Sequence, residues 1–279
     1  MNKLFRIAAL LCGGLMAGTA AAGTLAQGAR YVSMGSSYAA GPGVGAHDAE
    51  SRGCDRSLSN YARSVAARHR LDLVDVACSG ATTDNILVRG QHGFPAQIEA
   101  VTPDTRLVSI LIGGNDIAYV GNLFGLSCRA ADGKACEVVD EAGVARRLAA
   151  LPAALDRVVD EVRRRAPAAR IVLVGYLPAV PAADPGTCAA LPLAPDDARR
   201  MRATTARLAD AFEAAAARKR VDLVPAAAIG TQHDICAAAP YVTGYHPAQV
   251  PGWPSPVAYH PNQAGMDRVA AAFETILAQ

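Results

Sequence analysis

Ala29 to Gly45 read ARYVSMGSSYAAGPGVG. Tyr31-Val32-Ser33-Met34 is short, apolar and β-prone, the pattern of a buried strand. It runs into Gly35-Ser36-Ser37-Tyr38, followed by small residues and by Gly41, Gly43 and Gly45. A strand that stops at glycine and presents a serine at the next helix or loop aims a hydroxyl out of the sheet's carboxyl edge. Open α/β sheets hold their ligands there. Backbone N–H groups at such a turn have no helical partner and can face a developing negative charge. Taken alone, the stretch fits helix-capping serines equally well.

Beyond it, strands and helices alternate. Leu71–Ala77, Arg106–Ile112, Arg170–Val174 and Val221–Val224 read as four further strands, the second a continuous apolar run of the kind buried on both faces of a parallel sheet. Amphipathic periodicity predicts helices over Ser59–Arg70, Ala142–Arg165, Pro195–Arg218 and Asn262–Leu277, with Pro152 expected to kink or break the second. Residues 117–140 and 229–259 read as irregular. The alternation implies one parallel sheet covered on both faces, and three of its strands end in Gly-plus-polar loops on one edge.

Met1–Ala22 stands apart. A basic start (Lys3, Arg6), the apolar run Ile7–Met16 and Ala20-Ala21-Ala22 before Gly23 have the layout of a cleaved secretory leader, too short in its apolar run for a membrane span. Residues 23–279 are expected to form a single domain. Of 27 basic residues two lie in the leader, so the rest balances its 25 acidic residues at zero net formal charge. No basic patch stands out, which excludes nucleic acid as an expected partner. Six of the seven cysteines follow the leader: Cys54, Cys78, Cys128, Cys136, Cys188 and Cys236. An even number in an exported chain points to disulfides and leaves fifteen pairings open. Cys128 and Cys136 flank a short Asp132-Gly133 turn, and the absence of any CxxC spacing argues against zinc.

Acyl transfer needs a nucleophile, a base and donors waiting for an oxyanion. Ser37 is the candidate nucleophile; Gly80, in Cys78-Ser79-Gly80-Ala81, offers a backbone N–H, and Asn115, in Gly113-Gly114-Asn115-Asp116, a side-chain amide. His260 is the candidate base, fixed by Pro261 at the start of the last helix. Asp116 is expected to brace its loop. Trp253 is read as core or as a pocket wall, and Tyr38 as equally open.

These stretches resemble the SGNH hydrolases, the GDSL-type esterases and lipases. GSS at 35–37 stands where that family has GDS, Gly80 matches its glycine block, GGND at 113–116 its third block and HPN at 260–262 its last. The resemblance implies a flavodoxin-like three-layer α/β/α sandwich with a central parallel sheet of about five strands. It also implies Ser37, Gly80 and Asn115 as oxyanion donors, and neither cofactor nor metal. The cysteines resemble those of secreted actinobacterial-type members, which implies Cys54–Cys78, Cys128–Cys136 and Cys188–Cys236.

Two positions depart from the family. Ser36 replaces the aspartate before the nucleophile, and Val257 stands three before His260, where the triad acid is usual. A main-chain carbonyl, that of Val257, is expected to orient His260 Nδ1 in its place, with Asp234 or Asp267 as alternatives. A carbonyl fixes the tautomer without a full charge to stabilise imidazolium, which predicts activity at higher pH. The function expected is a secreted, monomeric serine hydrolase of lipid-type carboxylic esters, extracellular or periplasmic, with small-molecule or lipid ester substrates. Carbohydrate acetyl-esterase, acyltransferase and a catalytically dead binding protein are the alternatives.

Overall fold

The computed structural model describes residues 25–246, 255 and 257–279. The leader at 1–22 and Trp253 lie outside the described residues. Five strands form one sheet: β1 (Arg30–Gly35), β2 (Asp72–Asp75), β3 (Thr105–Leu111), β4 (Arg170–Val174) and β5 (Asp222–Val224). All are parallel, in the order β2-β1-β3-β4-β5. This is the doubly wound flavodoxin-like order. The chain leaves β1 for β2 on one side and returns to β3 on the other. The crevice between the carboxyl ends of β1 and β3 is therefore where such a sheet receives ligands.

Among the described residues eight α-helices connect or flank the strands: α1 (Ser37–Ala40), α2 (Tyr61–His69), α3 (Thr83–Leu87), α4 (Tyr119–Asp132), α5 (Glu141–Arg165), α6 (Pro195–Lys219), α7 (Ala226–Ile229) and α8 (Gln263–Leu277). In the three-layer sandwich α2 packs on α8, while α5 packs on α6 and α3. Side-chain oxygens of Asn60, Asp140 and Asn262 accept the Arg63, Gly143 and Gly265 N–H groups and so start α2, α5 and α8. The core is the sheet's own apolar content: Val32, Met34, Leu107, Val108, Ile110, Val172 and Leu173 are fully buried. Strands with no polar face must be covered on both sides, and here they are.

The structure differs from the sequence expectation in two elements. Residues expected to be irregular include α4, whose Gly125 lets the segment after it approach closely: a Cβ there would lie 2.2 Å from the Glu137 carbonyl oxygen. And α5 runs unbroken through Pro152, held by a stripe of buried residues from Val144 to Val162. The three disulfides join Cys54 to Cys78, Cys128 to Cys136 and Cys188 to Cys236. No helix among the described residues is long and apolar enough to cross a membrane.

Candidate active site

Sheet register sets the floor of the site. Gly35 pairs with Leu111, and Ile110 with Leu173, so Ser37, Gly113 and Tyr176 leave three adjacent strands on one row. Ser37 is the first residue of α1, a single turn closed by Gly41 at φ 76°. The Gln97 side chain holds Gly35 from below, accepting its N–H at 2.8 Å and donating to its carbonyl at 2.9 Å. The serine thus stands on a strand end that is hydrogen-bonded from several sides.

His260 reaches Ser37 from the turn that precedes α8. Its Nε2 lies 2.8 Å from Ser37 Oγ, with both residues buried. Its Nδ1 lies 2.8 Å from the main-chain oxygen of Ala258. That carbonyl can only accept, so Nδ1 carries the proton and Nε2 presents a lone pair to the serine hydroxyl. The expectation for Val257 is corrected here. Its carbonyl accepts the backbone N–H of His260 at 3.2 Å, closing a turn, and the next carbonyl along is the one left facing the ring. Asp234 instead accepts the Cys236 N–H, and Asp267 accepts from Gln263.

Burial pushes His260 down to about 4, against the opposing effect of the Ala258 hydrogen bond. Burial thus favours the neutral imidazole, the form that can accept the Ser37 proton. A base this easily kept neutral is also a weaker one.

The turn carrying His260 is pinned by its neighbours. Tyr259 has φ 61°, an unusual conformation for a bulky residue. Its N–H donates to Thr243, whose own N–H donates to the His260 carbonyl, both at 2.9 Å. Its carbonyl accepts from the Tyr38 hydroxyl, and its own hydroxyl bonds to Ser127. Tyr38 is thus buried structure beside the nucleophile, with its hydroxyl stitched to the base's turn.

The remaining predicted residues stand on neighbouring loops of the same edge. The Ser37 N–H opens a helix, and neither it nor the Gly80 N–H has a protein acceptor among the described residues. Gly80 adopts φ 79°, a left-handed conformation that favours glycine. Asn115 Nδ2 donates one hydrogen to the Ala81 carbonyl at 2.8 Å, which leaves the other to point elsewhere. Asp116 braces the two loops by accepting the Thr83 N–H and hydroxyl.

Sequence reasoning missed Ala258, Gln97, Ser127 and Tyr176. Only Tyr176 had a legible signal: an apolar strand ending in glycine and then a polar side chain, as at the three recognised loops. Among the described residues no group of three or more His, Cys, Asp or Glu is placed to hold a metal ion.

The profile of the GDSL-like Lipase/Acylhydrolase family matches residues 33–268. "Lipase 2" of Streptomyces coelicolor is 33% identical over 253 residues, covering 86% of this chain and 83% of that protein. "Lipase" of Streptomyces rimosus is 37% identical over 151 residues, 54% of this chain, and that match spans about half (53%) of the relative's length. Among solved structures, phospholipase A1 from Streptomyces albidoflavus NA297 superposes with a TM-score of 0.72 at 26% identity, covering 89% of this chain and 99% of that one. With the strand order and the four sequence blocks in register, these matches lead to one conclusion: the chain belongs to the GDSL-like lipase/acylhydrolase family, whose members are carboxylic ester hydrolases.

Proposed function

We propose that the protein is a secreted serine esterase or lipase that cleaves lipid-type carboxylic esters through a Ser37–His260 dyad and an acyl-enzyme. The observation that carries this reading is the 2.8 Å contact between Ser37 Oγ and His260 Nε2, with Nδ1 already committed to Ala258. Ser37 Oγ attacks the ester carbonyl as its proton passes to Nε2. The carbonyl oxygen becomes an oxyanion facing the N–H groups of Ser37 and Gly80 and the Asn115 amide. Collapse expels the alcohol, which takes the proton from Nε2. Water, deprotonated by the same nitrogen, then attacks the acyl carbon and releases the acid and the serine. The Ala258 carbonyl holds the tautomer throughout, and its dipole stands where other hydrolases place a carboxylate.

The lipase and phospholipase names of the relatives support a lipid-type substrate. Three disulfides and the leader-like residues 1–22 support export, since such bonds persist in oxidising compartments. Hydrolysis of p-nitrophenyl butyrate, p-nitrophenyl palmitate and dioleoyl phosphatidylcholine, beside Ser37→Ala, tests the reading. Turnover abolished by the substitution, with fluorophosphonate labelling of Ser37 in the parent, supports it. An unlabelled serine and no turnover on any ester would leave a binding protein.

A further inference from the structure

Three loops carry the proposed oxyanion donors, and one hydrogen-bonded chain passes through the immediate neighbour of each. Ser36 precedes Ser37, Gly114 precedes Asn115, and Ala81 follows Gly80. Tyr176 stands between the first two. Its hydroxyl accepts the Gly114 N–H at 2.8 Å and lies 3.3 Å from Ser36 Oγ. From Gly114 the chain continues through Asn115, whose amide donates to Ala81 at 2.8 Å. Ser36 is also the position that departs from the family's aspartate, so this chain has a hydroxyl pair where a carboxylate is usual.

Tyr176 is well placed to hold this arrangement. Two residues past β4, it emerges on the row of Ser37 and Gly113. Its ring is 5% exposed and packed at 4.7 Å from Tyr38, 6.2 Å from Tyr119 and 5.9 Å from Phe212. Burial raises its pKa above that of a free phenol, so the hydroxyl keeps its proton. The fit on Gly114 is close: a Cβ there would lie 2.7 Å from the tyrosine oxygen.

We infer that Tyr176 is a positioning residue for the oxyanion donors, joining the Ser36–Ser37 peptide to the Gly114–Asn115 loop so that their hydrogens converge on one point. The inference rests on the reading of Asn115 as an oxyanion donor. Tyr176 touches no reacting atom. Its effect belongs to the transition state, because donors displaced by a few tenths of an ångström bind a developing charge poorly while still admitting substrate.

The test is Tyr176→Phe, Asn115→Ala and the double variant on p-nitrophenyl butyrate, with kcat per active site titrated by fluorophosphonate. Removing an oxyanion donor typically lowers kcat by roughly 100- to 1000-fold. Tyr176→Phe is expected to lower it about 10-fold with KM within about twofold, and to leave the acid limb of the pH profile where it was, since His260 is untouched. In the Asn115→Ala background the same substitution is expected to cost less than about twofold, the signature of two residues acting as a unit. Unchanged kcat per titrated site in Tyr176→Phe overturns the inference, as does a full 10-fold loss in both backgrounds. Parental turnover in Asn115→Ala sinks the oxyanion reading and the inference together, whereas a crippled Asn115→Ala beside a fully active Tyr176→Phe sinks the inference alone. Ser36→Ala carries the same comparison if Tyr176→Phe folds poorly: kcat down a few-fold, and no further loss without Asn115, supports the inference. Unchanged kcat there overturns it.

Discussion

The Tyr38 hydroxyl donates to the main-chain carbonyl of Tyr259 at 2.6 Å. One bond thereby ties the residue after Ser37 to the residue before His260, across 221 positions of chain. Tyr259 sits at φ 61°, so the turn that delivers the Ala258 carbonyl to the imidazole persists because its surroundings fix it. Tyr38→Phe keeps the ring and removes the bond. A buried carbonyl left without its partner costs about 1–3 kcal/mol, read as a lower urea midpoint at unchanged slope. A midpoint equal to the parent's would mean that the turn holds itself.

The pH dependence has a defined sign. Folded His260 titrates at about 4, below the 6.5 of a solvated imidazole, because burial disfavours the charged form. As pH falls below 6.5 the unfolded chain takes up this proton first, so stability declines from there down to about pH 4 and then levels off. The loss from this group is on the order of 3 kcal/mol. Activity follows the folded value instead: kcat/KM is expected to stay flat from neutral pH to about 5 and to halve near 4. An acid limb centred at 6.5 would show the ring to be solvated in the working enzyme.

The disulfides are expected to differ in worth according to the loops they close. Cys188–Cys236 spans 48 positions, Cys54–Cys78 spans 24 and Cys128–Cys136 only 8. Chain entropy alone assigns them about 4, about 3.5 and about 2.5 kcal/mol. Paired Cys→Ala variants, compared by urea midpoint, should fall in that order. The opposite order would mean that strain or residual unfolded structure dominates.

Much of this architecture was written in local patterns. The five strands appear within one or two residues of the runs read from the sequence, and β1, β3 and β4, buried along nearly their whole length, are the ones whose apolar content marks them most clearly. The positions of Ser37 and Asn115 were legible because each follows a strand end marked by glycine, that of Gly80 because it is the glycine of a small-residue loop after β2, and that of His260 because Pro261 follows it just before α8. The Nδ1 partner was not. Choosing between the carbonyls of Val257 and Ala258 depends on the positive φ of Tyr259, and no tyrosine announces that in a sequence. Nor was α4 legible, since Gly121 and Gly125 interrupt its apolar stripe and the reason for Gly125 lies in a segment twelve residues away. Contacts of Tyr38 and Tyr176 are long-range products of the packed fold and leave no local trace.

Ser37 and His260 are separated by 223 positions and meet only when β1 and the turn before α8 are both in place. Closing so long a loop is entropically costly and is rewarded late, after the sheet between them exists. A half-assembled chain therefore holds an ordinary alcohol, with no base beside it. Along the proposed export route the nascent polypeptide is chemically silent toward the lipids it passes, and reactivity arises only with complete assembly on the far side. The appearance of probe-reactive serine during refolding is then a clock for the last step of assembly, running behind the return of helix and sheet.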